Sequence, residues 1–288
     1  MGGIPSRSPA LVRVLSVLSV AALSVAAAVT AGVACNAARA ETPVDLELIL
    51  AIDVSRSIDR EEARLQRQGY IDAFRDPELI RAIGSGFIGK IAVGYFEWAG
   101  IESARIVLPW TLIDGEKGAR AFADALSGSK PPGSARRTSI SHAIDFALPW
   151  FDGNGFAGTR RVIDVSGDGP NNDGDLVTLA REKALAAGVT INGLPIMGHS
   201  RGLYSRFNLP DLDLYFRDCV IGGPGAFLEV AADFPDFARA VRRKLILEIA
   251  GRTPRNGVRV LPAQAGPGAR IAPPCNIGEQ ILLRYEDP

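Results

Sequence analysis

Histidine and cysteine are scarce in this chain. Its 288 residues include two histidines, His142 and His199, and three cysteines. There is no Cys-x-x-Cys pair and no Walker loop. Each absence removes the chemistry its motif serves: dithiol exchange and a phosphate cradle. Long basic runs are missing too. Arg136-Arg137, Arg160-Arg161 and Arg242-Arg243-Lys244 are short and separate, so composition does not point to nucleic acid. No internal repeat and no heptad pattern occurs.

The amino terminus reads as a leader. Residues 1–10 are small or polar with Arg7, and Arg13 follows. Leu11 to Ala34 is almost wholly Leu, Val, Ala and Ser without an acid, and Ala38-Arg39-Ala40 supplies an A-x-A cleavage signal. Residues 1–40 are therefore expected to be a secretory signal peptide. Alternatives are a retained membrane anchor and lipidation at Cys35, whose approach Gly32-Val33-Ala34 resembles a lipoprotein signal. Cleavage leaves 288 − 40 = 248 residues with no membrane span. It also takes Arg7, Arg13 and Arg39, leaving 32 − 3 = 29 Lys+Arg against 32 Asp+Glu, a net of −3. The expected compartment is periplasmic or secreted. There the two remaining cysteines, Cys219 and Cys275, are expected to pair.

Beyond the leader, strand-like and helix-like segments alternate. Strands are expected at Leu46–Asp53, Lys90–Trp98, Arg105–Leu112, Arg161–Ser166, Val189–Ile196 and Ala226–Val230. Pro109 suggests an edge position for the third of these. Helices are expected at Arg60–Phe74, Glu116–Leu126, Thr138–Phe151, Gly174–Ala187, Leu212–Val220 and Phe234–Ala250. Asp76-Pro77 reads as a break. This alternation predicts a three-layer, doubly wound α/β fold around a mostly parallel sheet. The domain is expected to span 41–251, and the Pro- and Gly-rich stretch 252–288 to be an irregular tail. In such folds ligands bind beyond the carboxyl ends of the strands, where strand order reverses.

Two strand exits carry chemistry. Leu46–Asp53 runs into Asp53-Val54-Ser55-Arg56-Ser57, a carboxylate and two hydroxyls in one strand-to-helix loop. Arg161–Ser166 runs into Gly167-Asp168-Gly169. Thr138 opens a helix between them. All five groups are hard oxygen donors, which suit Mg²⁺, Mn²⁺ or Ca²⁺ better than zinc or copper. Taken singly, Asp53, Ser55, Ser57 and Thr138 also read as capping residues and Asp168 as a turn residue. His142 lies near the expected site, where packing or a surface hydrogen bond is its ordinary role.

Together, Asp53, Ser55, Ser57, Thr138 and Asp168 resemble the motif of the von Willebrand factor type A fold with its metal-ion-dependent adhesion site. The segment Thr138–Ile144 resembles the helix start that follows the family's Thr. The resemblance spans roughly Val44 to Gly251 and is nearest to a group of secreted bacterial proteins of this fold. One departure is Arg136-Arg137, where the family often has a glycine-rich approach. Two cations there would alter ligand preference or recruit acidic groups, unless they point into solvent.

The resemblance implies a non-catalytic protein-binding module. Its Mg²⁺ would keep one position open for an acidic side chain from a protein ligand. Alternatives are a metal-dependent hydrolase of phosphate esters and an envelope assembly factor with a structural metal. The first needs a second carboxylate as acid/base, and Ser55 stands where an Asp would be wanted.

Overall fold

The computed structural model describes residues 1–2, 40–197, 208–251 and 270–286. Most of the expected leader, including Cys35, lies outside the described residues, as does His199. Glu41–Pro288 forms a compact unit of its own, distinct from Met1–Ala40. No described helix is long and apolar enough to cross a membrane.

The chain enters through a short strand, β1 (Thr42–Val44), and then β2 (Leu46–Asp53). All eight residues of β2 are buried, because both its faces are covered. Leu46, Leu48, Leu50 and Ile52 point into one core and Ile49 and Ala51 into the other. That split follows the two-residue side-chain period of a strand. Each fully buried Leu or Ile contributes roughly 1.5–3 kcal/mol, so this strand's place at the centre is strongly determined.

β3 (Ile91–Trp98) pairs parallel to β2 on one side, and β6 (Arg161–Gly167) pairs parallel on the other. β7 (Thr190–Pro195) continues parallel beyond β6. β4 (Ala104–Ile113) runs antiparallel along the free side of β3, so Pro109 sits on an edge strand as expected. The order is β4-β3-β2-β6-β7. A separate two-stranded ribbon pairs β1 with β5 (Phe156–Gly158).

Helices cover both faces. One layer holds α1 (Arg60–Arg75), α2 (Pro77–Gly84), α3 (Glu116–Gly128) and, later in the chain, a helix at Phe237–Ile249. The other holds α4 (Ile140–Ala147), α5 (Val177–Ala186) and α6 (Leu212–Tyr215), which runs on as a π-helical turn at Phe216–Val220. The Phe237–Ile249 helix is α7, and α8 spans Ile277–Glu286. The chain is thus a mixed α/β domain with a mostly parallel sheet between helical layers.

Four segments differ from expectation. Asp76-Pro77 breaks the helix as expected, but a second helix starts there at once. Asp76 ends α1, and its side chain accepts from Glu78 N to cap α2, with Pro77 in the first turn. Ala226–Val230 is not a strand. Leu228 makes only an isolated bridge to Gly193. Residues 277–286 of the expected irregular tail are helical. The helix expected from Thr138 begins at Ile140, with Ser139 as its N-cap.

A charged cluster lies inside the α7 layer. Lys244 Nζ, fully buried, sits 2.6 Å from Asp164 Oδ2 and 3.3 Å from Glu248 Oε2. Asn192 Nδ2 donates to Glu248 Oε1 at 2.6 Å. Burial pushes the Asp164 carboxyl up to about 7, against the pull of Lys244.

Candidate metal centre

The sheet order reverses between β2 and β6, since the chain leaves β2 toward β3 on one side and returns to β6 on the other. The crevice at that switch is where Asp53 ends β2 and Asp168 follows β6. Three loops meet there: loop one (residues 53–57), loop two, which carries Thr138, and loop three, which carries Asp168. Loop one is tied to the end of β3 by Val54 N donating to Trp98 O at 2.8 Å. The segment before Thr138 lies against loop one: Ser55 bridges Ala135, and Arg56 N donates to Ala135 O at 2.9 Å. Ser139 N donates to Ala99 O at 2.8 Å, which fixes loop two at the exit of β3.

Within this crevice a chain of hydrogen bonds joins four of the five expected residues. Ser55 N donates to Asp53 Oδ1 at 2.7 Å. The Ser55 and Ser57 hydroxyls are 2.8 Å apart, and Ser57 Oγ donates to Asp168 Oδ1 at 2.7 Å. The fifth, Thr138, is held by its backbone. Its N–H donates to Asn172 Oδ1 at 2.9 Å, and Asn172 N donates to Thr138 O at 2.8 Å. Asn172 follows Asp168 by four residues, so loops two and three are clamped together. The helix cap is provided by Ser139, whose hydroxyl accepts from His142 N. Thr138 is therefore not the cap.

The electrostatics favour a cation. Asp53 is 0 % exposed and Asp168 5 % exposed. Asp53 Oδ2 is buried with no hydrogen-bond partner among the described residues. Burial first, and the nearby Asp168 charge second, raise the Asp53 carboxyl well above the usual carboxylate range. Gly167 makes the close approach possible. A Cβ there would lie 3.0 Å from Asp53 Oδ2. Two carboxylates, one with an orphaned buried oxygen, and three hydroxyl side chains match a hard divalent ion in donor chemistry. No group of three or more His, Cys, Asp or Glu side chains placed to hold a metal occurs among the described residues, so hydroxyls would have to complete the shell.

Arg137 adds a backbone signal. It is the one non-glycine at positive φ, 69°, among the described residues. A non-glycine in that region costs about 1–3 kcal/mol, and such strain concentrates at functional loops. It immediately precedes Thr138.

The family model described as "Protein of unknown function (DUF1194)" matches residues 43–253. The chain belongs to this family. No curated protein matches it. Solved structures that share its fold include the pilus adhesin SpaC from Lactobacillus rhamnosus GG, in an open conformation. That match has 14% identity, covers 73% of this chain and 30% of SpaC, and has a TM-score of 0.50. Another is proximal thread matrix protein 1 from the mussel byssus with a zinc-occupied MIDAS motif, at 16% identity, 73% and 49% coverage, and TM-score 0.49. A third is a von Willebrand factor type A protein from Catenulispora acidiphila, at 14% identity, 72% and 43% coverage, and TM-score 0.48. The chain spans less than half the length of each of these three proteins. At such identities the likeness is one of fold.

Three polar residues of this DUF1194 chain were not anticipated from sequence. Asn171, Asn172 and Asp173 stitch the loops together. Asn171 Oδ1 accepts from Ser141 N at 3.0 Å, and Asp173 Oδ2 accepts from Ile101 N at 3.0 Å. Asn171 Nδ2 donates to Glu279 Oε1 of α8 at 2.7 Å. The run Pro170-Asn171-Asn172-Asp173-Gly174 was the available signal, since Asx side chains bond loop backbone. Helix α8 is drawn to this loop by the Cys219–Cys275 disulfide, which ties the residues before α8 to the π-helical turn. Contact is close: a Cβ at Gly278 would fall 1.9 Å from Asn171 O.

Proposed function

We propose that this protein is an extracytoplasmic, non-catalytic recognition module whose partner binds through a divalent metal ion. Asp53 and Asp168 would supply the negative charge, and Ser55, Ser57 and Thr138 neutral oxygens. Bound Mg²⁺, or Mn²⁺ or Ca²⁺, supplies an electrophilic position that an Asp or Glu of a protein partner completes. The observation that carries this reading is the buried, unpartnered Asp53 Oδ2 beside the Asp168 carboxylate. A cation would relieve that repulsion, which without one is offset only by protonation and by hydrogen bonds from Ser55 and the Asp168 backbone. The Ser55–Ser57–Asp168 hydrogen bonds keep the hydroxyls on the crevice side, and the Thr138–Asn172 clamp holds loop two in place without using the Thr138 hydroxyl. The disulfide supports a location outside the cytoplasm, and the leader reading agrees with it.

Isothermal titration of Mg²⁺ and Mn²⁺ into the wild type and Asp53→Ala tests the site. Binding is expected for the wild type only. Equal binding by both proteins would remove the assignment. Hydrolysis of a phosphate ester by the wild type, lost in Asp53→Ala, would replace recognition with catalysis.

A further inference from the structure

Beside the candidate metal centre runs a groove of about 770 Å³ lined by loop one, the start of α1 and Pro131 to Ser134. Three of its lining residues are arginines: Arg56, Arg60 and Arg64. Arg56 stands between the two site serines and is exposed, as are Arg60 and, on loop two, Arg136. Most of the described arginines are neutralised by a carboxylate, Arg75 by Asp124 and Arg242 by Asp76 and Glu78 among them. Arg64 likewise pairs with Glu61. Arg56, Arg60 and Arg136 have no ion pair among the described residues. The one acid lining the groove, Asp59, is engaged in capping α1 through Glu61 N and Glu62 N.

The opposite wall is prebuilt. Glu97, 2 % exposed, accepts from Arg67, from Arg105 at 2.6 Å and from Gly133 N at 3.2 Å. Arg105 also donates to Pro131 O at 3.1 Å. One carboxylate thus balances two guanidiniums there, leaving a further positive charge behind the wall.

Building on the metal-dependent reading above, we infer that this groove selects its partner by charge. The occupant is an acidic polypeptide segment, with one carboxylate at the metal and its neighbours on Arg56 and Arg60. Arg136 flanks the same metal position from loop two. A polypeptide fits better than a nucleic acid because no lining residue is aromatic, so bases would have no stacking platform. Pro131 and Pro132 instead offer a stiff, apolar wall to a peptide backbone.

The test uses two fluorescent peptides on the purified chain, read by anisotropy at low salt with Mg²⁺. One is a Gly/Ser peptide with a single Asp, the other the same peptide with a Glu run beside that Asp. The acidic peptide is expected to bind about 5- to 25-fold more tightly, since an exposed ion pair is worth up to about 5-fold in affinity. That advantage should vanish in Arg56→Ala/Arg60→Ala and at high salt, while Mg²⁺ titration still shows binding to the double variant. Asp53→Ala should lose Mg²⁺ and the single-Asp peptide together, which reports on the metal reading separately. Equal affinity for the two peptides, or an advantage that survives the arginine substitutions, would overturn the inference. So would an oligo-dT strand that binds as tightly as the acidic peptide with the same arginine dependence.

Discussion

Replacing Asp53 by Asn should separate the stability of this protein from its proposed function. The substitution keeps shape and the acceptor for Ser55 N, yet removes a charge that is fully buried and set against Asp168. In chelator the variant should therefore be at least as stable as the wild type. With Mg²⁺ at one hundred times its dissociation constant, linkage should stabilise the wild type by about 2.7 kcal/mol. For a domain of this size that is a rise in Tm of roughly 5–10 °C. Asp53→Asn should show no such rise. Differential scanning calorimetry with EDTA and with Mg²⁺ on both proteins measures all four states. A variant that melts several degrees below the wild type in EDTA would refute the claim that the buried charge is a strain awaiting a cation. A variant that keeps the Mg²⁺ shift would show that Asp53 is no ligand.

Two further predictions concern the frame around the site. Opening the Cys219–Cys275 bridge, which closes a separation of 56 residues, should cost about 4 kcal/mol by loop entropy; urea denaturation of the double Ser variant checks this, and a loss under 1 kcal/mol would contradict it. Lys244→Met should cost about 3–5 kcal/mol by stranding Asp164 and Glu248 in the core. The same cluster predicts a pH trend. Asp164 is raised from 3.8 to about 7, so the folded state holds a proton the unfolded chain has released. Its contribution to stability is full below pH 4 and is lost as pH rises toward 7. Urea midpoints across that window should show a falling component that Asp164→Asn removes.

Much of the fold was legible because burial on both faces leaves strands that are apolar through their middle. The end of β2 follows from the apolar run Leu48 to Ile52 giving way to Asp53. The candidate site was legible for a related reason: its donors sit at strand exits, and parallel sheets bring such exits together. What escaped reading depended on contacts distant in sequence. Pro77 looked like an interruption because a single residue, Asp76, both closes one helix and caps the next. Ala226–Val230 has the apolar content of a strand, yet the sheet offers it only isolated bridges. Ile277–Glu286 was hidden behind a Pro- and Gly-rich approach, and its anchor, Cys219, lies on another helix. Asn171 and Asn172 are ordinary loop residues until Thr138, Ser141 and Glu279 are placed around them.

The contact between Asn171 and Glu279 spans 108 residues of chain. A ribosome delivers Asp168 long before it delivers the helix that braces the loop carrying it. The crevice must therefore wait, half-assembled, through synthesis of everything between, and through oxidation of Cys219 and Cys275 as well. If the crevice holds a metal as proposed, competence to do so would come late, with closure of the Cys219–Cys275 bridge and not with folding of the sheet alone. Copies whose bridge is still open would carry the donors but lack the brace. Mg²⁺ titration of the reduced and the oxidised chain measures this delay, with weaker binding expected before the bridge closes.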